Sequence, residues 1–378
     1  MSYKLINAHV FTGTDWLPGS SVSIANGHIT QISPTSATDI TEENIPVIDF
    51  NGDYLIPGLI DLQLYGGSNL FLNDRPTPET VRHIYESHAQ NGTTTLLPTI
   101  HSTSLDIMRE SMAAVQAVRT ENPLGVPGIH IEGPYFNPVK RGAHSTAYVR
   151  TPADGELKSL FSTNADVIRI LTLSPEILSA NQLETIQRLK HANTLLSLGH
   201  SNATYHQATR FFNGGIPLAT HLYNAMRGYE SREPGVVGAV FDHPTVRASI
   251  IRIAYRLLGE RLFLISDALF ANPPRPTFEL GQFIVHFEPD TNGPGRYVNN
   301  EGNLAGSAIT LIDCVKIAVE QAGIPLTSAL RMASAIPAEI IGLDEQIGHI
   351  QPNYTANLVR LDAALRVKDV WASGTKLP

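Results

Sequence analysis

Residues 194–223 read TLLSLGHSNATYHQATRFFNGGIPLATHLY, and this stretch decides the fold. A short β-rich apolar run, TLLSLGH, leads into a helix-patterned segment, NATYHQATRFFNGG, which is followed by a second apolar run, LATHLY. Helical periodicity between two short apolar runs marks a βαβ unit with parallel strands. The helix has start signals at Ser201 or Asn202 and a stop at the pair Gly214 and Gly215.

The same alternation continues in both directions. Upstream, IPGLIDLQL from Ile56, TTTLLPTI from Thr93, GVPGIHIEG from Gly125 and VIRILTLSP from Val167 read as strands. Downstream, VRASII from Val246 and RLFLISD from Arg261 complete a set of eight. PETVRHIYESHAQNG, closing at Gly92, and SLDIMRESMAAVQAVR, following Ser104, supply helices between them. Strands and helices in this order predict an α/β fold, a (β/α)8 TIM-like barrel over residues 55–347. The two chain ends differ from it. YKLINAHVFTG and SVSIANGHITQIS alternate between turn residues, as does the run from Gly348 onward, so residues 1–54 and 348–378 are predicted to form a small β-sandwich domain built from both termini. No repeat or low-complexity tract interrupts this plan.

Composition narrows the function. An apolar fraction of 42% and a charged fraction of 16% describe a packed globular chain of 378 residues, not a disordered one. With 27 basic against 35 acidic residues the net charge is -8, the wrong sign for holding nucleic acid or an anionic membrane by overall field. The single cysteine, Cys314, rules out an internal disulfide framework and sits in an apolar-periodic run, where it reads as buried helix filler. No apolar run approaches bilayer length and the N-terminus lacks a signal-peptide pattern, which predicts a soluble, cytoplasmic protein.

In barrels of this kind chemistry sits at the C-terminal ends of the strands. Of the 14 histidines that filter retains His101, His130, His200 and His221, and among acidic and amide residues Asp61, Gln63, Glu132 and Asp267. Glu132, His200 and His221 come from different strands and could supply three ligands to a divalent ion, leaving one position for water. By strand period His130 shares the inward face of Glu132 one layer deeper, which suits packing or support better than ligation. His101 is read as structural.

The surrounding motifs carry a resemblance. HIEGPYFNPVKRGAH at 130–144, LGHSNAT at 198–204, ATHLYNAM at 219–226, SREPG at 231–235 and ISDA at 265–268, with LAGSAITL at 304–311, are together similar to the N-acetylglucosamine-6-phosphate deacetylases of the amidohydrolase superfamily. The resemblance spans nearly the whole chain. It implies a metal-bearing barrel with Glu132, His200 and His221 as ligands and Asp267 as the carboxylate that takes a proton from water and returns it to the departing amine. One divalent ion per subunit is implied, zinc first, with iron, cobalt or manganese as alternatives. His144 is implied near the sugar and acetamide, and Asn224, Ala225 and Arg232 at the phosphate, with Arg227 nearby. Ala305, in the LAGSA turn, either walls the acetyl pocket or belongs to a tight turn before the Cys314 helix. The phosphate-binding arginine of this family can come from a neighbouring subunit, which implies a homodimer.

Two departures from the family pattern stand out. Where many members of the wider superfamily carry a His-x-His pair on strand one, this chain has Asp61, Leu62, Gln63, Leu64 and Tyr65, which disfavours a second metal. Asp61 is left open between a ligand and a structural role. After strand seven the helix is predicted to begin at once, leaving no room for the family's Asp-Gly-x-His stretch, and His243 lies upstream of it. The implied activity is hydrolysis of the N-acetyl group of N-acetylglucosamine 6-phosphate in amino-sugar catabolism. The alternatives are a deacetylase of another hexosamine, such as N-acetylgalactosamine 6-phosphate, or a non-catalytic sugar-phosphate-binding relative.

Overall fold

The run predicted as one strand from Ile56 breaks at Gly58, and its two halves enter different sheets. A computed structural model describes residues 2–36, 45–249, 254–270, 275–280, 282–290 and 293–378. The chain begins with β1 (Ser2–Phe11), β2 (Trp16–Ala25), β3 (His28–Pro34), β4 (Val47–Asp49) and β5 (Tyr54–Pro57). Next come β6 (Leu59–Leu64), β7 (Thr93–Ile100), β8 (Ile129–Glu132), β9 (Ile168–Leu173), β10 (Leu195–Leu198), β11 (Leu218–Ala219), β12 (Arg247–Ser249) and β13 (Leu262–Phe263). These eight strands lie side by side in sequence order. Pairing from β7 through β13 is parallel at every step. Every residue of β6 and β7 is buried, as parallel strands covered on both faces require.

The sheet curls back on itself. The Asp267 amide donates to the Gln63 carbonyl at 3.0 Å and the Tyr65 amide to the Ala268 carbonyl at 2.9 Å, around a parallel bridge between Leu64 and Ala268. Backbone just beyond β13 is thereby bonded to the end of β6, which brings Asp267 beside Gln63 and Tyr65.

A third sheet was not anticipated. β14 (Thr277–Leu280), β15 (Phe283–Asp290), β16 (Gly293–Asn299) and β17 (Leu304–Ser307) form an antiparallel sheet in sequence order. Its inner face, with Phe278, Phe283, Val285 and Tyr297, packs on Tyr65, Phe71 and Phe270. Ser307 of β17 bridges Ala268, so Ala305 is carried by this sheet and not by a simple turn.

At the C-terminus β18 (Leu358–Leu361), β19 (Val367–Ala372) and β20 (Thr375–Lys376) return to the first sheet, whose order is β20-β19-β18-β5-β1-β2-β3 with β4 on β1. Strands from both chain ends join one hydrogen-bonded sheet. The reason is β5, which pairs parallel with β1 on one edge and antiparallel with β18 on the other. Leu5, Val10, Ile24, Phe50, Leu55, Leu358 and Trp371 form the core of this sheet. By internal contacts the chain forms two compact units, one of Met1–Asp61, His88–Thr95 and Thr310–Pro378, the other of Leu62–Ser87 and Leu96–Ile309.

Local details differ in small ways. The helix after β10 spans Tyr205–Asn213 and is capped by Thr204 in a reciprocal box with Gln207, because Ser201 is engaged by Glu176 instead. The predicted strand-seven junction falls on residues 250–253, outside the described residues. His243 closes the helix Gly235–Asp242, and its Nδ1 accepts from the amides of Thr245 and Val246. Cys314 is buried in the helix Leu311–Glu320. Among the described residues no helix is long and apolar enough to cross a membrane.

Candidate metal centre and active site

Glu132 is the last residue of β8, His200 lies two residues beyond β10, and His221 two beyond β11. Their donor atoms form a small triangle. Glu132 Oε1 is 3.1 Å from His221 Nε2 and 3.5 Å from His200 Nε2, and the two Nε2 atoms are 3.0 Å apart. A tetrahedral ion bound at about 2.0–2.1 Å separates its ligands by roughly 3.3 Å, so the triangle has the size that such an ion needs. Proton placement agrees. His200 Nδ1 is 3.0 Å from the Lys140 carbonyl, which only accepts, so Nδ1 carries the proton and Nε2 presents a lone pair. Burial holds the His200 imidazole below its ordinary value, favouring the neutral ring a ligand must be. His221 Nδ1 finds no hydrogen-bond partner among the described residues. The residues present therefore fit a divalent ion.

Backbone strain collects here. Among described residues other than Gly and Asn, seven have φ in the left-handed region, and five of them are His200, His221, Tyr223, Ala225 and Asp267. Each such residue costs on the order of 1–3 kcal/mol, a cost that persists where surrounding structure enforces a particular side-chain aim.

The second oxygen of Glu132 faces a different set. The Tyr65 hydroxyl donates to Glu132 Oε2 in a short hydrogen bond. Gln63 Nε2 lies 2.9 Å from the Tyr65 oxygen, 3.0 Å from Glu132 Oε1 and 3.0 Å from Asp267 Oδ1. Tyr65 stays protonated, since burial and the neighbouring carboxylates Glu132 and Asp267 push its hydroxyl well above the ordinary value. Burial opposes ionisation of Glu132, yet the imidazoles of His144, His200 and His221 hold it well below the carboxylate range. Asp267 is the opposite case. Burial first, with repulsion from Glu132 against the attraction of His221, pushes its carboxyl up to about 6. One carboxylate is fixed as an anion and the other is poised near neutrality, the split expected when two acidic groups divide ligand and proton-transfer duties.

His144 reaches the same carboxylate from another side, with Nε2 3.5 Å from Glu132 Oε2. Its Nδ1 accepts from the Ser102 amide at 3.2 Å and lies 2.8 Å from Ser102 Oγ. The proton of the neutral ring is therefore on Nε2. His101, Glu132 and His144 also place three potential ligand atoms within 4.8 Å of one another. A His144 nitrogen that carries a proton cannot ligate, so this second cluster does not fit a metal. His101 stacks on His144 at 4.3 Å between ring centroids and lies 4.4 Å from Tyr65, and its Nε2 has no hydrogen-bond partner among the described residues. It is a wall of the site and not the merely structural residue that the sequence suggested. His130 is one layer deeper, with Nδ1 donating to the Leu62 carbonyl and Nε2 2.7 Å from Thr172 Oγ1.

Glu132, His200, His221, Asp267, His144, Asn224, Ala225 and Ala305 line one open cavity, together with Tyr65, His101 and Leu304. Arg232 is exposed and does not line it. Arg227 is turned away, its Nε donating to the Asn202 carbonyl at 2.9 Å. Asp61 is fully buried and outside the lining. Sequence reasoning missed Tyr65 and His101 as cavity residues. Strand period was the available signal for Tyr65, since residues 63 and 65 share a face. For His101 the signal was its place one residue beyond β7.

The N-acetylglucosamine-6-phosphate deacetylase of Haemophilus influenzae is 33% identical over 374 residues, covering 95% of this chain and 94% of that protein. An N-acetylgalactosamine-6-phosphate deacetylase of Shewanella sp. is 33% identical over 385 residues, covering 98% and 94%. The crystal structure of N-acetylglucosamine-6-phosphate deacetylase from Pasteurella multocida matches with a TM-score of 0.90 at 32% identity over 100% of both chains. The amidohydrolase family model matches residues 54–377, from β5 to within one residue of the C-terminus, and the chain belongs to the amidohydrolase family.

Proposed function

We propose that this chain hydrolyses the N-acetyl group of N-acetylglucosamine 6-phosphate to glucosamine 6-phosphate and acetate. The observation that carries the reading is the metal-sized triangle of Glu132, His200 and His221 with Asp267 in the same cavity. Relatives of both names at 33% identity support a sugar-phosphate substrate. The bridge from Leu64 to Ala268 supports a closed (β/α)8 barrel. When bound, a divalent ion, zinc first, would activate water and polarise the acetamide carbonyl. The chain's residues supply the rest. Asp267, in the same cavity as the triangle, is the carboxylate placed to take a water proton and then return it to the leaving nitrogen. Nε2–H of His144 is available to donate to the acetamide oxygen. Asn224 and Ala225 line the phosphate side, and the exposure of Arg232 outside its own cavity supports its serving a neighbouring copy in a homodimer. The compartment proposed is the cytoplasm.

The second reading, N-acetylgalactosamine 6-phosphate as substrate, is favoured by the equal identity of the Shewanella relative. Acetate release by zinc-reconstituted protein from the two phosphorylated sugars, their unphosphorylated forms, and with Asp267→Asn tests both. The proposal expects turnover that needs the phosphate and Asp267. Bound zinc without turnover on either sugar would leave a sugar-phosphate-binding protein and sink the enzyme reading.

A further inference from the structure

The hydrogen-bond partners of His144 Nδ1 both belong to one residue. Its Nδ1 meets the Ser102 main-chain N–H at 3.2 Å and Ser102 Oγ at 2.8 Å. Its faces are covered by the stacked His101 ring at 4.3 Å and the edge of Phe136 at 4.9 Å, neither of which distinguishes one ring nitrogen from the other. An imidazole between such faces keeps a single tautomer only if a polar partner chooses it. The main-chain N–H can only donate, so it selects the tautomer with a lone pair on Nδ1 and the proton on Nε2. That proton then points toward Glu132 Oε2, 3.5 Å away, on the cavity side.

The peptide preceding Ser102 is itself clamped. Asn73 Oδ1 accepts from the His101 amide at 2.9 Å, and Asn73 Nδ2 donates to the His101 carbonyl at 3.1 Å. Both polar groups of His101's backbone are satisfied by one side chain, which fixes the peptide plane that bears the Ser102 N–H. The hydroxyl is seated as tightly. A Cβ at Gly133 would lie 2.3 Å from Ser102 Oγ, so the chain leaves room for this oxygen by placing glycine, at φ +89°, next to Glu132. Ser102 and Asn73 are both absent from the ligand and proton-transfer set, yet they converge on its one donor.

We infer that Ser102, with its peptide held by Asn73, is a positioning residue that fixes His144 as an Nε2–H donor facing the reacting amide. The inference rests on the deacetylase reading only for its effect on rate; the tautomer stands on the free protein. Long-range proton–nitrogen correlation spectra of zinc-loaded holoenzyme labelled with ¹⁵N-histidine read it directly, with His144→Asn assigning the ring. Expected is a lone-pair Nδ1 and a protonated Nε2 in the wild type and also in Ser102→Ala, which keeps the main-chain N–H. In kinetics, Ser102→Ala lowers kcat about tenfold, with KM and zinc stoichiometry unchanged, because the main-chain donor remains and only orientation is relaxed. Ser102→Thr, which keeps the hydroxyl, restores kcat, and Asn73→Ala, which frees the peptide bearing the N–H, reproduces the loss. A wild-type His144 protonated on Nδ1 overturns the inference whether or not the variants fold. So does a folded Ser102→Ala enzyme with wild-type kcat. Absence of turnover in a wild type whose His144 carries its proton on Nε2 supports the positioning role while defeating the deacetylase reading.

Discussion

Replacing Asp267 by Asn should make the metal-free protein more stable while nearly abolishing turnover, and both effects follow from one carboxyl. Asp267 is pushed from 3.8 up to about 6, chiefly by burial. At 1.36 kcal/mol for each tenfold change, holding it ionised in the folded, metal-free chain costs roughly 3 kcal/mol at neutral pH and above. Asparagine keeps an Oδ1 that still accepts from Gln63 at 3.0 Å, but carries no charge. Because the folded chain holds this proton longer than the unfolded chain, wild-type stability falls as pH rises from about 4 to about 6, and the variant escapes that fall. Chelator-stripped Asp267→Asn should therefore melt about 5 °C above stripped wild type at pH 8, an advantage that shrinks through this window and is gone near pH 4. Zinc-loaded variant should lose about 10²- to 10⁴-fold in kcat, the usual worth of a general acid–base group. Differential scanning calorimetry at pH 4, 6 and 8 provides the measurement. A gain that does not depend on pH, or no gain at pH 8, would show that Asp267 is not an anion strained by its surroundings.

Three further outcomes follow. Tyr65→Phe removes the hydroxyl that donates to Glu132 Oε2, and such orienting partners typically contribute about 10- to 100-fold in metal affinity; chelator competition giving wild-type affinity would count against the role. His200→Ala should retain no metal after dialysis, whereas His130→Ala, which empties the space between the Leu62 carbonyl and Thr172, should keep its metal and lower the melting temperature; elemental analysis beside a thermal melt separates the two. In the terminal sheet, Arg360 Nε lies 2.6 Å from Asp53 Oδ2 and its guanidinium 4.6 Å from the Phe50 ring centroid, so Arg360→Ala should cost about 1–2 kcal/mol at pH 7. Burial would raise Asp53, but Lys368 and Arg360 lower it overall, so this contribution is present above the ordinary carboxylate range and lost as pH falls below it; urea titrations at pH 7 and pH 3 should show the Arg360→Ala penalty shrinking.

The order of strands was legible because it depends on local pattern: short apolar runs, helix-spaced segments and glycine stops each state their role within a dozen residues. The residues at the strand ends were legible for the same reason, since a parallel sheet of known polarity turns position in sequence into position along one edge. What escaped depends on contacts distant in sequence. β5 and β6 could not be told apart within IPGLIDLQL until β1 and β18 were seen to claim one half. The sheet from Thr277 to Ser307 was passed over because its alternation lies outside the βα rhythm, yet it delivers Ala305 to the cavity. His101 looked structural because nothing in its neighbours reveals that Asn73 clamps its backbone and that His144 lies against its face.

The same distance effect governs how many ions the site should hold. From sequence, Gln63 and Tyr65 are simply not histidines. In the fold they do more than fail to ligate. Gln63 Nε2 sits about equally close to Tyr65 Oη, Glu132 Oε1 and Asp267 Oδ1, so a hydrogen-bond donor occupies the ground between the two carboxylates where a second cation would have to bind. Tyr65 then turns its own proton onto Glu132 Oε2 and closes the remaining oxygen. Two neutral donors thus meet lone pairs that would otherwise need another positive charge, and they leave Glu132 Oε1 with the two Nε2 atoms as the open set. An amide and a phenol keep those protons across the physiological range, whereas a paired imidazole could give them up, so one ion per chain should persist even in excess zinc. A stoichiometry of two in the wild type, measured at saturating zinc, would break this argument at its central step.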